Sequence, residues 1–250
     1  MIKLNRTSKP KVLQDNEYTW LCHLKTAIDA YGSYSAIPKD EKSKLTKFYR
    51  HDGIKEELFN TSHEKCAFCE CKPAEGGNIE VEHFKPKSIH PDFTFEWENL
   101  LPCCRKCNGS KLDHDTAIDP IVNPYEMDPK EIFEYSDIRI LAKSGANKSI
   151  GDKSIEVCGL NSVRLMKPRS EILVNLYFFQ DTLQEAIADY YDADTDAKKR
   201  NRLRSINEAI EKIEQLTDPR EKYSGFCSNF LENCEIYNKA KTLIQDAMAS

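Results

Sequence analysis

Cys66-Ala-Phe-Cys69 and Cys104-Arg-Lys-Cys107 are two C-x-x-C knuckles with 34 residues between them. Zinc takes four thiolate or imidazole ligands in a tetrahedron, and each knuckle supplies two thiolates. The pair therefore predicts a closed, structural zinc site held by Cys66, Cys69, Cys104 and Cys107. Cys103 is an alternative to Cys104, and Cys71 to Cys69. A gap of 34 residues is longer than a compact ribbon needs, so it should enclose a structured excursion, a small hairpin leading into a helix. The chain has ten cysteines in 250 residues, six of them within 66–107. In a reducing compartment such clustering signals metal rather than disulfides. Cys22, Cys158, Cys227 and Cys234 stand alone in helical surroundings and read as small buried hydrophobes.

Between the knuckles runs Ile79-Glu80-Val81-Glu82-His83, a strand pattern in which neighbouring side chains alternate faces. Glu82 and His83 can act together only if the strand ends or twists there, which Lys85-Pro86-Lys87 suggests. Phosphodiester hydrolysis needs a base for water and a cation for the charge on the leaving oxygen. The residues divide these tasks: His83 as base, Glu82 and Asn108 as ligands of a second metal. Oxygen ligation suits magnesium or manganese. Lys111, one helical turn beyond Asn108, with Lys85 and Lys87, is placed to meet phosphates. His114 and Asp115 read as polar loop residues, and His63 and His90 as exposed flanks. Trp97 should pack with Phe95 behind the hairpin.

Charge limits how such a chain grips a polyanion. The net charge is −5, and residues 64–115 hold seven Lys or Arg against ten Asp or Glu. Proteins that hold nucleic acid by charge alone are usually basic, so the contact must be local, metal-assisted or shared with a partner. Lys198 to Arg204 is the one strongly basic run, five cations in seven residues. It suits a nucleic acid, an acidic partner or simply solvent. No stretch nears the roughly 20 apolar residues that span a bilayer, and the start of the chain lacks a secretory pattern. With 40% hydrophobic residues and a mean hydropathy of −0.63, the expectation is a soluble cytoplasmic protein without membrane contact.

The remaining sequence is mostly helical. Residues 1–16 read as an irregular arm. Trp20, Leu21, Leu24, Ala27 and Ile28 give Asn16–Tyr31 a helical period, ended by Gly32. Pro38 opens a second helix to about Phe59, broken near Gly53. Prolines 120 and 124 exclude regular structure after Lys111, and residues 132–141 suggest a hairpin around Ser136-Asp137. Helices follow over 149–158, from a cap at Asn161-Ser162 with Pro168 kinking or starting its main body, over 197–216 and over 226–248. Tyr177-Phe178-Phe179 reads as core. Three regions result: a helical arm (1–60), a nuclease core (61–145) and a helical C-terminal region (146–250).

His83, Asn99 and Asn108, framed by four cysteines, resemble the zinc-bearing HNH endonucleases over about residues 64–111. The resemblance implies an α+β protein with a zinc-stapled ββα-metal core embedded among helices. It assigns the general base to His83, backbone bonds that tie the hairpin loop to Asn99, and the catalytic metal to Asn108 and Glu82. Glu82 departs from the commoner Asp or His at that position. Met1-Ile-Lys-Leu-Asn-Arg6, Glu82-His-Phe-Lys-Pro-Lys-Ser88, Ile118-Asp-Pro120, Asn123-Pro-Tyr-Glu126 and Glu156-Val-Cys-Gly-Leu-Asn161 are similar to the PtuB-type HNH proteins of bacterial anti-phage systems. That resemblance implies work beside a PtuA-like ATPase in Septu or retron-associated defence, with DNA as the favoured substrate. An RNA-cleaving (tRNA) enzyme and a zinc-stapled scaffold with an inactive pocket are the alternatives.

Overall fold

The protein is described by a computed structural model that covers residues 1–73 and 79–249. It is a mixed fold dominated by helices, with two small sheets of two strands each. Two compact units divide the chain: residues 1–133 with 141–160, and residues 134–140 with the chain from Asn161 onward.

The first unit opens with an extended arm and then α1 (Lys11–Tyr31), which begins directly after Pro10, five residues earlier than the apolar period alone indicates. Proline is tolerated at a helix entry because the first amides have no intrahelical partner. The helix stops at Gly32, whose φ of 82° lies in the left-handed region that glycine adopts without a Cβ clash. Helix α2 (Lys39–Thr46) passes into a 3₁₀ turn over Lys47–Arg50, and α3 (Asp52–Thr61) follows. The break falls at His51 rather than Gly53, because the His51 side chain accepts a hydrogen bond from the Gly53 amide and caps α3.

Strand β1 (Ile79–His83) pairs antiparallel with β2 (Leu100–Cys104), in a register that sets Ile79 opposite Cys104 and His83 opposite Leu100. Helix α4 (Arg105–Lys111) follows without a loop. One apolar cluster joins the arm helices to this hairpin: Leu13, Leu24, Tyr49, Ile54 and Leu58 pack with Val81, Phe95, Trp97 and Leu100. Trp97 and Phe95 lie behind the hairpin in this cluster, and Trp20 stacks on Phe48 with ring centroids 4.8 Å apart. The extended arm is tied down by polar contacts. The Leu4 amide donates to the Pro124 carbonyl (2.9 Å). The Arg6 guanidinium donates to the carbonyls of Glu98 and Leu100 and lies over the Tyr125 ring. Beyond α5 (Pro129–Ile132), strands β3 (Phe133–Ser136) and β4 (Arg139–Ala142) pair around Asp137, and α6 (Lys148–Val157) packs Gly151 against Ala142 and Ile132.

The second unit is built on α7 (Val163–Tyr191), α8 (Asp196–Glu214), α9 (Ser224–Asn233) and α10 (Glu235–Ala249). Leu183, Ile187, Ile206, Ile210, Ala240 and Ile244 form its core. Pro168 sits inside α7 near its start. The segment expected as one helix over 226–248 is two, separated at Cys234, whose ψ of 106° leaves the helical region. Of the aromatic triplet expected in the core, only Phe179 packs there, while Phe178 is 74% exposed. No helix among the described residues is long and apolar enough to cross a membrane.

Candidate functional site

The two knuckles close on each other. The Ala67 amide donates to the Pro102 carbonyl (2.9 Å) and the Cys66 amide to the Cys71 carbonyl (2.9 Å), fixing the first knuckle beside β2. The Cys104 sulfur caps α4 by accepting from the Cys107 amide (3.4 Å). As a result the sulfurs of Cys66, Cys69, Cys104 and Cys107 all lie within 4.8 Å of one another, fully buried. A tetrahedral ion with metal–sulfur bonds of about 2.3 Å needs sulfurs about 3.8 Å apart, and Cys69 and Cys104 are 3.8 Å apart. The cluster can hold a metal ion such as zinc. Among these converging thiols burial pushes the Cys66 pKa up, while hydrogen bonds from the neighbouring thiols hold Cys104 down. Cys103 donates to the Cys104 carbonyl (3.5 Å), and its thiol also lies in hydrogen-bonding reach of Cys66; Cys71 lies 3.3 Å from Cys69. Of the solitary cysteines, Cys158, Cys227 and Cys234 are buried and Cys22 is half-buried.

A pocket of about 360 Å³ opens beside the hairpin, lined among others by Glu82, His83, Lys87, Asn108, Tyr49 and Arg50. His83 is 3% exposed. Its Nε2 lies 2.9 Å from the Thr94 carbonyl. A carbonyl only accepts, so Nε2 carries the proton and Nδ1 keeps the lone pair. The Tyr49 ring packs against the imidazole at 4.5 Å. Burial, reinforced by the nearby Lys87 ammonium, pushes the His83 pKa down to about 3, which keeps the ring neutral at physiological pH.

Glu82 is 7% exposed, and burial raises its pKa, opposed by Lys111. The Lys111 ammonium, expected at a phosphate, is instead 1% exposed and donates to Glu82 Oε1 (2.8 Å) and the His83 carbonyl (2.9 Å). Asn108 donates from Nδ2 to Glu80 Oε2 (2.6 Å). The Glu82 carboxylate also accepts from the His83 backbone amide, and among the described residues Asn108 Oδ1 has no hydrogen bond. Asn99, 4% exposed, accepts from the Lys85 amide (2.7 Å) and donates to the carbonyls of Lys85 (3.1 Å) and Phe93 (3.0 Å). It thus clasps the loop that follows β1. Lys85 lies over the Phe93 ring. Lys87 lines the pocket, half-buried, its pKa lowered by burial.

Sequence reasoning missed Tyr49, Arg50 and Glu80. The first two arrive on the 3₁₀ turn before α3, which carries no motif. Glu80 was legible, since it shares a strand face with Glu82. His90, expected in solvent, is half-buried, its Nε2 2.7 Å from Asp115 Oδ1 on the loop after α4. His114 is a half-buried polar loop residue, its Nε2 2.7 Å from the Asp119 carbonyl. His63 is also half-buried.

No family model matches the chain. It is 30% identical to the Septu protein PtuB of Bacillus thuringiensis over 215 residues, 82% of this chain and 81% of that protein. It is 26% identical to the Septu protein PtuB of Bacillus mycoides (strain KBAB4) over 97% of this chain and 95% of that protein. A shorter match, 32% identical over 37% of this chain and 29% of the relative, is to protein ea31 of Escherichia phage lambda. With that identity sustained over four-fifths of both sequences, the chain belongs to the Septu PtuB family.

Proposed function

We propose that this protein is a metal-dependent HNH endonuclease that hydrolyses nucleic-acid phosphodiester bonds, with DNA the favoured substrate, in bacterial anti-phage defence. The observation that carries the reading is one pocket lined by Glu82, His83 and Asn108, the histidine's Nε2 proton engaged by the Thr94 carbonyl. A neutral imidazole with a fixed tautomer is what a general base requires. In this reading Nδ1 of His83 takes the proton from the attacking water. Asn99 holds the loop beyond β1 so that the imidazole keeps its aim. The Glu82 carboxylate and the Asn108 side-chain oxygen line the pocket and suit magnesium or manganese, hard cations that prefer oxygen. When bound, such an ion supplies charge for the phosphate and the leaving oxygen. Lys85 and Lys87 meet flanking phosphates, while Lys111 serves as the buried counter-charge of Glu82.

The strand–strand–helix segment β1–β2–α4 is then the ββα-metal core, zinc is its structural ion, and 1–60, 61–145 and 146–250 are the arm, the nuclease core and the C-terminal region. The relatives' name, Septu protein PtuB, supports a Septu role; in this reading the chain works in the cytoplasm beside a PtuA-like ATPase. A second reading has its own support. The Lys111–Glu82 pair and the Asn108–Glu80 bond already satisfy much of the pocket, as they would in a zinc-stapled scaffold without chemistry. Purified chain and chain–ATPase complex, assayed on DNA and RNA with magnesium or manganese, separate the two. His83→Ala should lower cleavage by about 10²–10⁴-fold. Cleavage unchanged in that variant removes His83 from the chemistry.

A further inference from the structure

The pocket that holds His83 does not end at its own rim. Tyr34, Tyr49, Arg50 and Lys87 also line a second concavity of about 190 Å³, which continues over α2 and the 3₁₀ turn. Lys39, Lys42 and Lys47 join them there with Ser43 and Thr46. Five cations thus face one trough, and no carboxylate lines it. Asp40 and Glu41 lie on α2 but not in its wall; Glu41 accepts from the Tyr31 hydroxyl (2.8 Å). Among the described residues none of the five cations is ion-paired. Aromatic faces hold four of them without neutralising them: Lys42 lies over Tyr34 (4.9 Å), Lys47 over Phe48 (5.5 Å), and Arg50 and Lys87 over Tyr49 (5.0 and 5.2 Å).

The contrast with the basic run on α8 is sharp. Lys198 pairs with Asp194 (2.8 Å), Arg202 with Asp189 (2.7 Å) and Arg204 with Glu208 (2.9 Å). Three of the five cations in the run that looks basic in sequence are thus paired with carboxylates. In the trough, Lys39, Lys42, Lys47 and Arg50 come from α2 and the turn after it, and the fold adds Lys87 from beyond β1. Five like charges held together in a chain of net charge −5 repel one another unless a polyanion covers them.

We propose that this trough over α2 and the 3₁₀ turn is the substrate's backbone track, in which Lys39, Lys42 and Lys47 hold phosphates adjacent to the linkage presented to His83. The proposal deepens the nuclease reading and rests on it for the choice of polymer. Phosphate chemistry alone is shared by a nucleic-acid backbone and a free nucleotide; the trough's continuity with the pocket favours the backbone.

The test uses the full chain without added divalent cation and a fluorescein-labelled 12-nucleotide single strand, read by anisotropy across a salt series. The variant is Lys39→Gln/Lys42→Gln/Lys47→Gln. Lys44→Gln, on α2 but outside the trough, is the control. Each phosphate contact contributes about 0.7 to the slope of log K against log[salt] for single strands. The triple variant should therefore bind at least tenfold more weakly at low salt, with a slope lower by about 2, and Lys44→Gln should match wild type. Ser43→Arg should tighten binding. Wild-type binding that is absent or insensitive to salt, a triple variant within twofold of wild type, or an equal loss in Lys44→Gln would overturn the proposal. ATP that binds more tightly than the oligonucleotide would overturn the backbone assignment in favour of a nucleotide site. Hydrolysis of bis(p-nitrophenyl) phosphate with manganese, which needs no track, should survive in the triple variant and fall in His83→Ala. No hydrolysis by wild type alongside intact oligonucleotide binding would sink the nuclease reading and leave the track standing.

Discussion

His83 and Lys111 are two ionisable side chains buried almost completely, and each is stable for a different reason. His83 is buried as the neutral ring, with a folded pKa of about 3 against the usual 6.5. The native state therefore binds fewer protons than the unfolded chain between those values, so stability is full above about pH 6.5 and is lost as pH falls towards 3. The loss should run at about 1.4 kcal/mol per pH unit between pH 6 and 4. Denaturant melts across that range should show this slope in wild type and a shallower one in His83→Gln; identical slopes would mean that the imidazole is not buried neutral. Lys111 is buried charged, and removing one partner of a buried pair strands the other. Lys111→Met should cost about 3–5 kcal/mol. Adding Glu82→Gln should return much of that loss, because no unpaired carboxylate then remains. A double variant no more stable than Lys111→Met in chemical denaturation would show that Glu82 is not what Lys111 neutralises.

Elements show where side-chain packing overrides local pattern. Gly151 on α6 has helical neighbours and would read from sequence as a weak spot better filled by alanine. In the fold a Cβ there would come within 2.7 Å of the Ala142 Cβ and 3.0 Å of Ile132 Cγ2. Gly151→Ala should therefore destabilise by about 1–3 kcal/mol, measured as a lowered denaturation midpoint, whereas helix propensity alone predicts a gain. The same divide separates what was legible from what was not. The knuckles, β1 and α4 follow from short-range spacing, because thiolate geometry and strand alternation are local constraints, whereas the Asn99 clasp is implied by the HNH resemblance alone. The break at His51 turns on a side-chain cap that spacing does not announce, and exposed Phe178 inside an aromatic run depends on which face meets a partner helix. Lys111 illustrates the limit best. Its place one turn beyond Asn108 is readable, but its burial against Glu82 depends on β1 lying beneath α4.

At the scale of the whole chain, the cysteine cluster and the two apolar cores set how stability is shared. Strand β2 runs from Leu100 in the first unit's core to Cys104 in the sulfur cluster, so the hairpin couples metal binding to that core. A zinc tetrathiolate contributes on the order of 10–16 kcal/mol of binding free energy, against about 5–15 kcal/mol for the net stability of a domain. The first unit therefore should not keep its native hairpin once the ion is gone. The core built from Leu183, Ile187, Ile206, Ile210, Ala240 and Ile244 contains no sulfur ligand and has no such dependence. Removing the metal with a zinc chelator, or replacing Cys107 with serine, should raise hydrogen exchange across residues 79–111 and leave residues 183–210 and 236–244 close to their starting protection. Thermal unfolding should then split into two transitions, the first moving down in temperature and the second staying in place. Uniform loss of protection in both units would mean that the chain folds as one cooperative block around the metal; no loss in residues 79–111 would mean that the four sulfurs hold no structural ion.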